Sequence, residues 1–139
     1  MLLQTKHFGQ IEIDEEKILT FEDGLLGFED IKKYVVIENT DKEVPFNWLQ
    51  SVDEPELTFV ITNPFLFNKE YEFNINDAII NELEKENILV YSIAVVPDDI
   101  KNMTINLKAP IIVNTKDRRA KQMIIENNKY SLKYKIFEK

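Results

Sequence analysis

Twelve short runs of β-forming residues, none longer than nine, set the limits on what this chain can become. They are LLQTKHF, QIEID, KILTF, YVVIEN, NWLQSV, LTFVIT, YEFNI, ILVYSIAVV, MTINL, PIIVN, KQMIIE and YSLKYKIF, separated by Gly, Pro, Asn, Asp and Lys-rich turns. Strands this short and this numerous leave many edges, which an antiparallel sheet hides by curling on itself. The expected class is therefore mainly β, an antiparallel barrel-like roll with one or two short helices. The clearest helix is NDAIINELEKE, residues 76–86, where Asn76 or Asp77 can cap and Ile79, Ile80 and Leu83 form a stripe. Shorter helical turns are expected in PDDIKN after Pro97 and in FEDIKK at 28–33.

At 139 residues the chain is long enough for one core without staples, and residues 1–139 read as a single domain. There is no cysteine, which excludes disulfides, thiolate metal sites and a Cys nucleophile. MLLQTKHFGQIEIDEE lacks the basic flank and apolar run of a signal peptide, and no later run approaches the roughly 20 apolar residues that span a bilayer. A soluble cytoplasmic protein is expected. The net charge of -8 is unevenly spread: residues 1–100 carry 22 acidic and 7 basic side chains, residues 101–139 carry 3 and 10. That acidic majority repels a phosphate backbone and attracts a basic protein, so no direct nucleic acid and no membrane partner is expected.

Catalytic signals are weak. The single histidine, His7, stands beside Phe8 in the first strand with no second imidazole to complete a metal centre or a triad. Gly24 and Gly27 in FEDGLLGFED lack the lysine of a phosphate loop and read as turns that need positive φ. The carboxylates of Asp14, Glu15 and Glu16, and of Asp53, Glu54 and Glu56, imitate acid–base pairs but lie in turn sequences where solvation is the ordinary state. No enzyme activity, cofactor or metal is expected.

Three blocks in combination carry more information. FGQIEIDEEKILTFEDGLLGFED, PFNWLQSVDEPELTFVITNP and NLKAPIIVNTKDRRAKQMIIENNKY together resemble the flagellar assembly factor FliW family over nearly the whole chain. The resemblance rests on Gly24, Gly27, Phe28 and Glu29, then Trp48, Leu49, Gln50 and Ser51, then Asn106, Leu107, Ala109, Pro110 and Asn114. Leu26 stands where the family often has proline, and Ala120 where it often has glycine. The resemblance implies a small barrel-like, non-enzymatic protein that binds the RNA-binding regulator CsrA and relieves its repression of flagellin messenger RNA. It also implies binding of flagellin itself, so that the two ligands compete in a homeostatic switch. The other readings are a dedicated cytoplasmic flagellin chaperone, or a small ligand-binding or hydrolytic β-barrel.

Trp48 and Leu49 fall on opposite faces of one strand, so both pack only where both faces are covered; large aromatics favour a buried Trp48. Gln50, Ser51 and Asn106 are expected to satisfy backbone groups at barrel corners. The candidate partner-binding residues are Glu12, Asp14, Glu15 and Glu16 as an acidic docking turn, with Phe46, Asp53 and Glu54 at strand ends. A monomer is expected.

Overall fold

A computed structural model of the protein describes residues 1–73, 87–126 and 129–137. Its strands are β1 (Leu2–Thr5), β2 (Gly9–Glu12), β3 (Leu19–Phe21), β4 (Lys33–Ile37), β5 (Phe46–Ser51), β6 (Thr58–Thr62), β7 (Ile88–Val95), β8 (Thr104–Ile105), β9 (Ile111–Asn114), β10 (Arg119–Gln122) and β11 (Tyr134–Lys135). Strands β7, β6, β5, β4, β3, β10 and β9 pair in that order, and β9 pairs back to β7, closing a seven-stranded barrel. One edge of β7 does double duty: residues 88–91 meet β9, and Ala94 and Val95 meet β8. The ring is antiparallel except at β3 and β10, which run parallel over two residue pairs.

Why so many runs read as wholly apolar follows from this closure. In β4, Tyr34 and Val36 face the interior with Leu49, Ile61, Ile111 and Val113. The alternate residues Val35 and Ile37 face outward and are covered by the separate β1–β2 hairpin through Leu3, Ile11 and Ile13. A strand covered on both faces loses the polar half of its alternation. A second outer cluster, built on Tyr71, Ile105, Leu107, Ile125 and Tyr130, covers Val60 and Ala94 on the far side. Its polar atoms are used: Tyr71 donates to the Leu107 carbonyl, and the Tyr130 hydroxyl accepts from Glu72 N at 2.9 Å.

Trp48 is half-buried on the outer face, not a core residue: its ring meets Phe8 of the hairpin edge-on at 5.2 Å, while Leu49 beside it is buried in the barrel. The hairpin, then, is the cover that the Trp48–Leu49 pair requires. One end of the barrel is stopped by the 22–31 loop, which sinks Leu25 into the interior and stacks Phe28 edge-on against Phe59 at 5.4 Å.

Several expected elements come out shorter. KQMIIE is regular strand only as far as Gln122: Met123 N still donates to Pro110 O at 2.9 Å and Ile125 N to Lys108 O at 2.7 Å, but Pro110 has no N–H to return the bond. In YSLKYKIF only Tyr134 and Lys135 pair, since β8 ends where Asn106 turns the chain. YEFNI is not a strand over residues 71–73. FEDIKK forms consecutive turns rather than a helix, with Phe28 N donating to Leu25 O and Ile31 N to Phe28 O. PDDIKN does form a 3-10 turn, Ile100–Asn102, capped by Asp99. The helix expected over 76–86 lies outside the described residues.

Two predictions follow from packing. A Cβ on Gly24, at φ +65°, would lie 2.5 Å from the Glu29 carbonyl oxygen, whereas one on Gly27, at φ +87°, meets nothing within 4 Å. Gly27→Ala should therefore cost only the left-handed backbone penalty of about 1–2 kcal/mol. Gly24→Ala should cost clearly more in urea unfolding, and equal losses would contradict the packing of this loop. The second prediction concerns alkaline pH. Burial pushes the Tyr34 phenol up to about 12, and raises Tyr71, where Tyr130 adds, and Tyr91, where Glu38 adds. Unfolded tyrosines ionise near about 10, so the native protein holds these protons longer than the unfolded chain. The stability they contribute is complete below that pH and is lost as pH rises through the folded values. Phenolate absorbance should lag behind free tyrosine and rise together with the loss of native circular dichroism. Ionisation of every tyrosine near 10 with native structure retained would contradict it.

Candidate partner-binding site

The acidic turn joins β2 to β3, and short-range chemistry fixes it. Asp14 is extended (φ -87°, ψ 117°) and its carboxylate accepts from Glu16 N at 2.9 Å, capping a 3-10 turn over Glu15–Lys17. The Glu12 carboxylate accepts from the Met1 ammonium at 2.9 Å, a bond that raises the affinity of that amine for its proton. From across the barrel seam, Arg118 donates Nη1 to the Glu16 carbonyl at 2.9 Å. The backbone of the turn is thus pinned while Asp14, Glu15 and Glu16 remain exposed, and among the described residues none of the three makes an ion pair.

Asp53 and Glu54 occupy the β5–β6 turn, where Ser51 Oγ accepts from Asp53 N at 3.2 Å and Glu54 N at 2.9 Å. Gln50, fully buried, donates Nε2 to the carbonyls of Ser51, Glu54 and Pro55. Lys6 N donates to Pro55 O, which ties this turn to the tip of the β1–β2 hairpin. The acidic turn at Glu12–Glu16 adjoins the hairpin's other end. With about 3.4 Å per residue, a four-residue hairpin holds the two acidic groups roughly 10 Å or more apart. Phe46 belongs to neither: it is half-buried, stacked on Phe67 at 5.8 Å, within the outer cluster around Tyr71. The candidate residues accordingly form two acidic turns and one separate aromatic contact.

The motif residues support turns. Gly24 and Gly27 shape the loop that stops the barrel, with Gly27 N held by the Glu29 carboxylate at 2.9 Å. Gln122, which sequence patterning did not single out, accepts from Leu26 N and donates to the Ala109 carbonyl, bracing that loop against the chain around Pro110. Asn106 accepts from Lys108 N and Ala109 N, and buried Asn114 accepts from Lys116 N and Asp117 N. Gln50 with Ser51, and Asn106, therefore serve different corners.

Folding also redistributes the two-ended charge. The parallel β3–β10 pairing lays the basic segment beside the acidic one: Arg119 meets Glu22 at 3.6 Å and Asp117 at 3.4 Å, and Lys121 meets Asp23 at 3.8 Å. Asp14, Glu15 and Glu16 form no such ion pair among the described residues. No group of three or more His, Asp or Glu side chains is gathered for a metal among the described residues, and no helix there is long and apolar enough to cross a membrane.

Comparison with known proteins follows the same lines. The FliW protein family profile matches residues 2–136. The flagellar assembly factor FliW of Alkaliphilus metalliredigens is 49% identical over 99% of this chain and 87% of its own length. That of Ruminiclostridium cellulolyticum is 41% identical over 99% and 95%. A crystal structure of the flagellar assembly factor FliW superposes with a TM-score of 0.89 at 35% identity, covering 100% of this chain and 99% of that one. A closed barrel with these turns, matched end to end in sequence and in fold, places the chain in the FliW family.

Proposed function

We propose that the protein acts without catalysis, as a flagellar assembly factor that captures the RNA-binding regulator CsrA, relieves its repression of flagellin messenger RNA, and exchanges it for flagellin in the cytoplasm. The observation that carries this reading is the exposed, internally unpaired carboxylate set Asp14, Glu15 and Glu16 on a rigid turn of a chain with net charge -8. A protein that grips RNA phosphates must present lysine and arginine, and a fixed acidic turn meets such a surface at little entropic cost. The same field keeps RNA itself away from the complex. The switch is then competition between two protein ligands for one monomeric carrier, with no covalent step and no cofactor.

Charge reversal tests this directly. Replacing Asp14, Glu15 and Glu16 by lysine should slow CsrA association in surface plasmon resonance by tenfold or more, while stability falls by no more than the loss of the Asp14 cap, about 1 kcal/mol. The matched reversal of Asp53, Glu54 and Glu56, at the opposite end of the hairpin, should have a smaller effect. Exposed charges are screened beyond about 8 Å at physiological ionic strength, so association should also slow as salt rises while dissociation changes less. Equal losses from both reversals would reduce the mechanism to net charge. No loss from either, with salt-independent association, would remove electrostatics from the account.

A further inference from the structure

The two ends of the barrel differ. The end bearing Phe21, Tyr34 and Phe59 is stopped by the 22–31 loop, whereas the other opens into a cleft of about 550 Å³. Its floor consists of inward-facing side chains from four strands of the ring: Leu19 of β3, Val36 of β4, Leu89 and Tyr91 of β7, and Val113 of β9. All but Leu89 also belong to the main core or pack against it, so the cleft is the interior itself coming to the surface. Leu89 is 44% exposed, a large aliphatic group at the lip. A volume of this size, apolar below and polar above, is the ordinary form of a small-molecule site.

The rim supplies the selectivity. Glu38 is taken by Lys42 at 3.1 Å. Lys17 and Arg118 line the cleft without a carboxylate within ion-pair distance among the described residues, and Glu16 is the remaining acid there. Lys17 and Arg118 balance Glu16 and Glu38 in the lining, and Lys42, on Glu38 at the edge, brings the mouth to +1, in a chain whose total is -8. Arg118 is, moreover, the one non-glycine residue at positive φ among those described, at 58°. Such a backbone costs about 1–2 kcal/mol in an L-residue and is ordinarily assigned to glycine or asparagine. Here it puts Arg118 on the lining of the cleft, with Nη1 on the Glu16 carbonyl at 2.9 Å.

We propose that the open barrel mouth is a ligand site for a medium-chain aliphatic carboxylate, its chain lying against Leu19, Val36, Leu89 and Val113 and its head group held by Lys17 and Arg118. A single anionic head matches the net charge of the mouth, and a linear apolar chain matches a floor without hydrogen-bonding side chains other than Tyr91. A cationic amphiphile of equal length would meet the same floor but the wrong rim, so the charge of the head group decides affinity.

Decanoate and decylamine, titrated into the full chain with methyl-resolved NMR and calorimetry, separate the contributions. Decanoate should bind saturably at one per chain, shift the methyl signals of Val36, Leu89 and Val113, and bind at least tenfold more tightly than decylamine. Arg118→Gly removes the guanidinium while keeping a residue at ease at positive φ; it should weaken decanoate at least fivefold while the chain stays folded, with a thermal midpoint lowered by no more than in Arg118→Asn, a control that likewise lacks the Arg118 bond to the Glu16 carbonyl. Equal affinity for the two amphiphiles on the parent protein would overturn the proposal, as would shifts away from the mouth, no saturable binding, or unchanged affinity in Arg118→Gly.

Discussion

The pairing of β9 back onto β7 is the constraint on which the remaining structure depends. Without the register Ile88 to Asn114, Leu89 to Val113, Val90 to Ile112 and Tyr91 to Ile111, the sheet would have two free edges and an uncovered apolar face. With it, a set of short strands encloses Phe21, Leu49, Ile61 and Ile111 nearly completely. Closure also forces the short parallel contact of β3 with β10, the one place where the ring departs from antiparallel pairing. That contact brings Arg119 and Lys121 beside the end of β3, so they pair with Glu22 and Asp23. The ring therefore decides which acids stay unpaired.

The surface inherits its properties from this arrangement. Each acidic turn is held by side chains bonded to its backbone: the Asp14 cap on Glu16 N and the Arg118 guanidinium on Glu16 O in one, Gln50 and Ser51 under the other. The Glu15 and Glu16 carboxylates, which cap nothing, are free to meet a partner, and surface charges exchanged there cost little stability. The proposed role in capturing a basic regulator uses that freedom. The two barrel ends divide labour in a similar way, since one is filled by Leu25 and Phe28 while the other exposes Leu89 beneath Lys17 and Arg118.

Much of the architecture was legible in the sequence because local chemistry and global fold agree. The start of YVVIEN is apolar at both phases, and both phases are in fact covered. Family membership was legible from the separated Gly27, Trp48–Ser51 and Asn106–Asn114 blocks. What was not legible depends on contacts distant in sequence. Nothing near Trp48 says that Phe8 covers it, and that contact is what puts the indole between barrel and hairpin instead of in the core. Pro110 ends the regular β10 ladder from the opposite side, so KQMIIE carries no sign of its own truncation. The left-handed Arg118 lies in TKDRRA, a turn with neither glycine nor asparagine at that position, and its place at the barrel mouth follows only from the parallel seam. Charge asymmetry along the chain was plain, yet the ring folds part of it away.

Under the proposed function, binding by this protein controls access of CsrA to RNA. The direct measurement is fluorescence anisotropy of a labelled flagellin leader RNA bound to CsrA, followed during stepwise addition of this protein and then of flagellin. The account predicts that anisotropy falls to the free-RNA value as the protein is added and recovers when flagellin is present in excess. Anisotropy that stays at the bound value with the protein in large excess would contradict it.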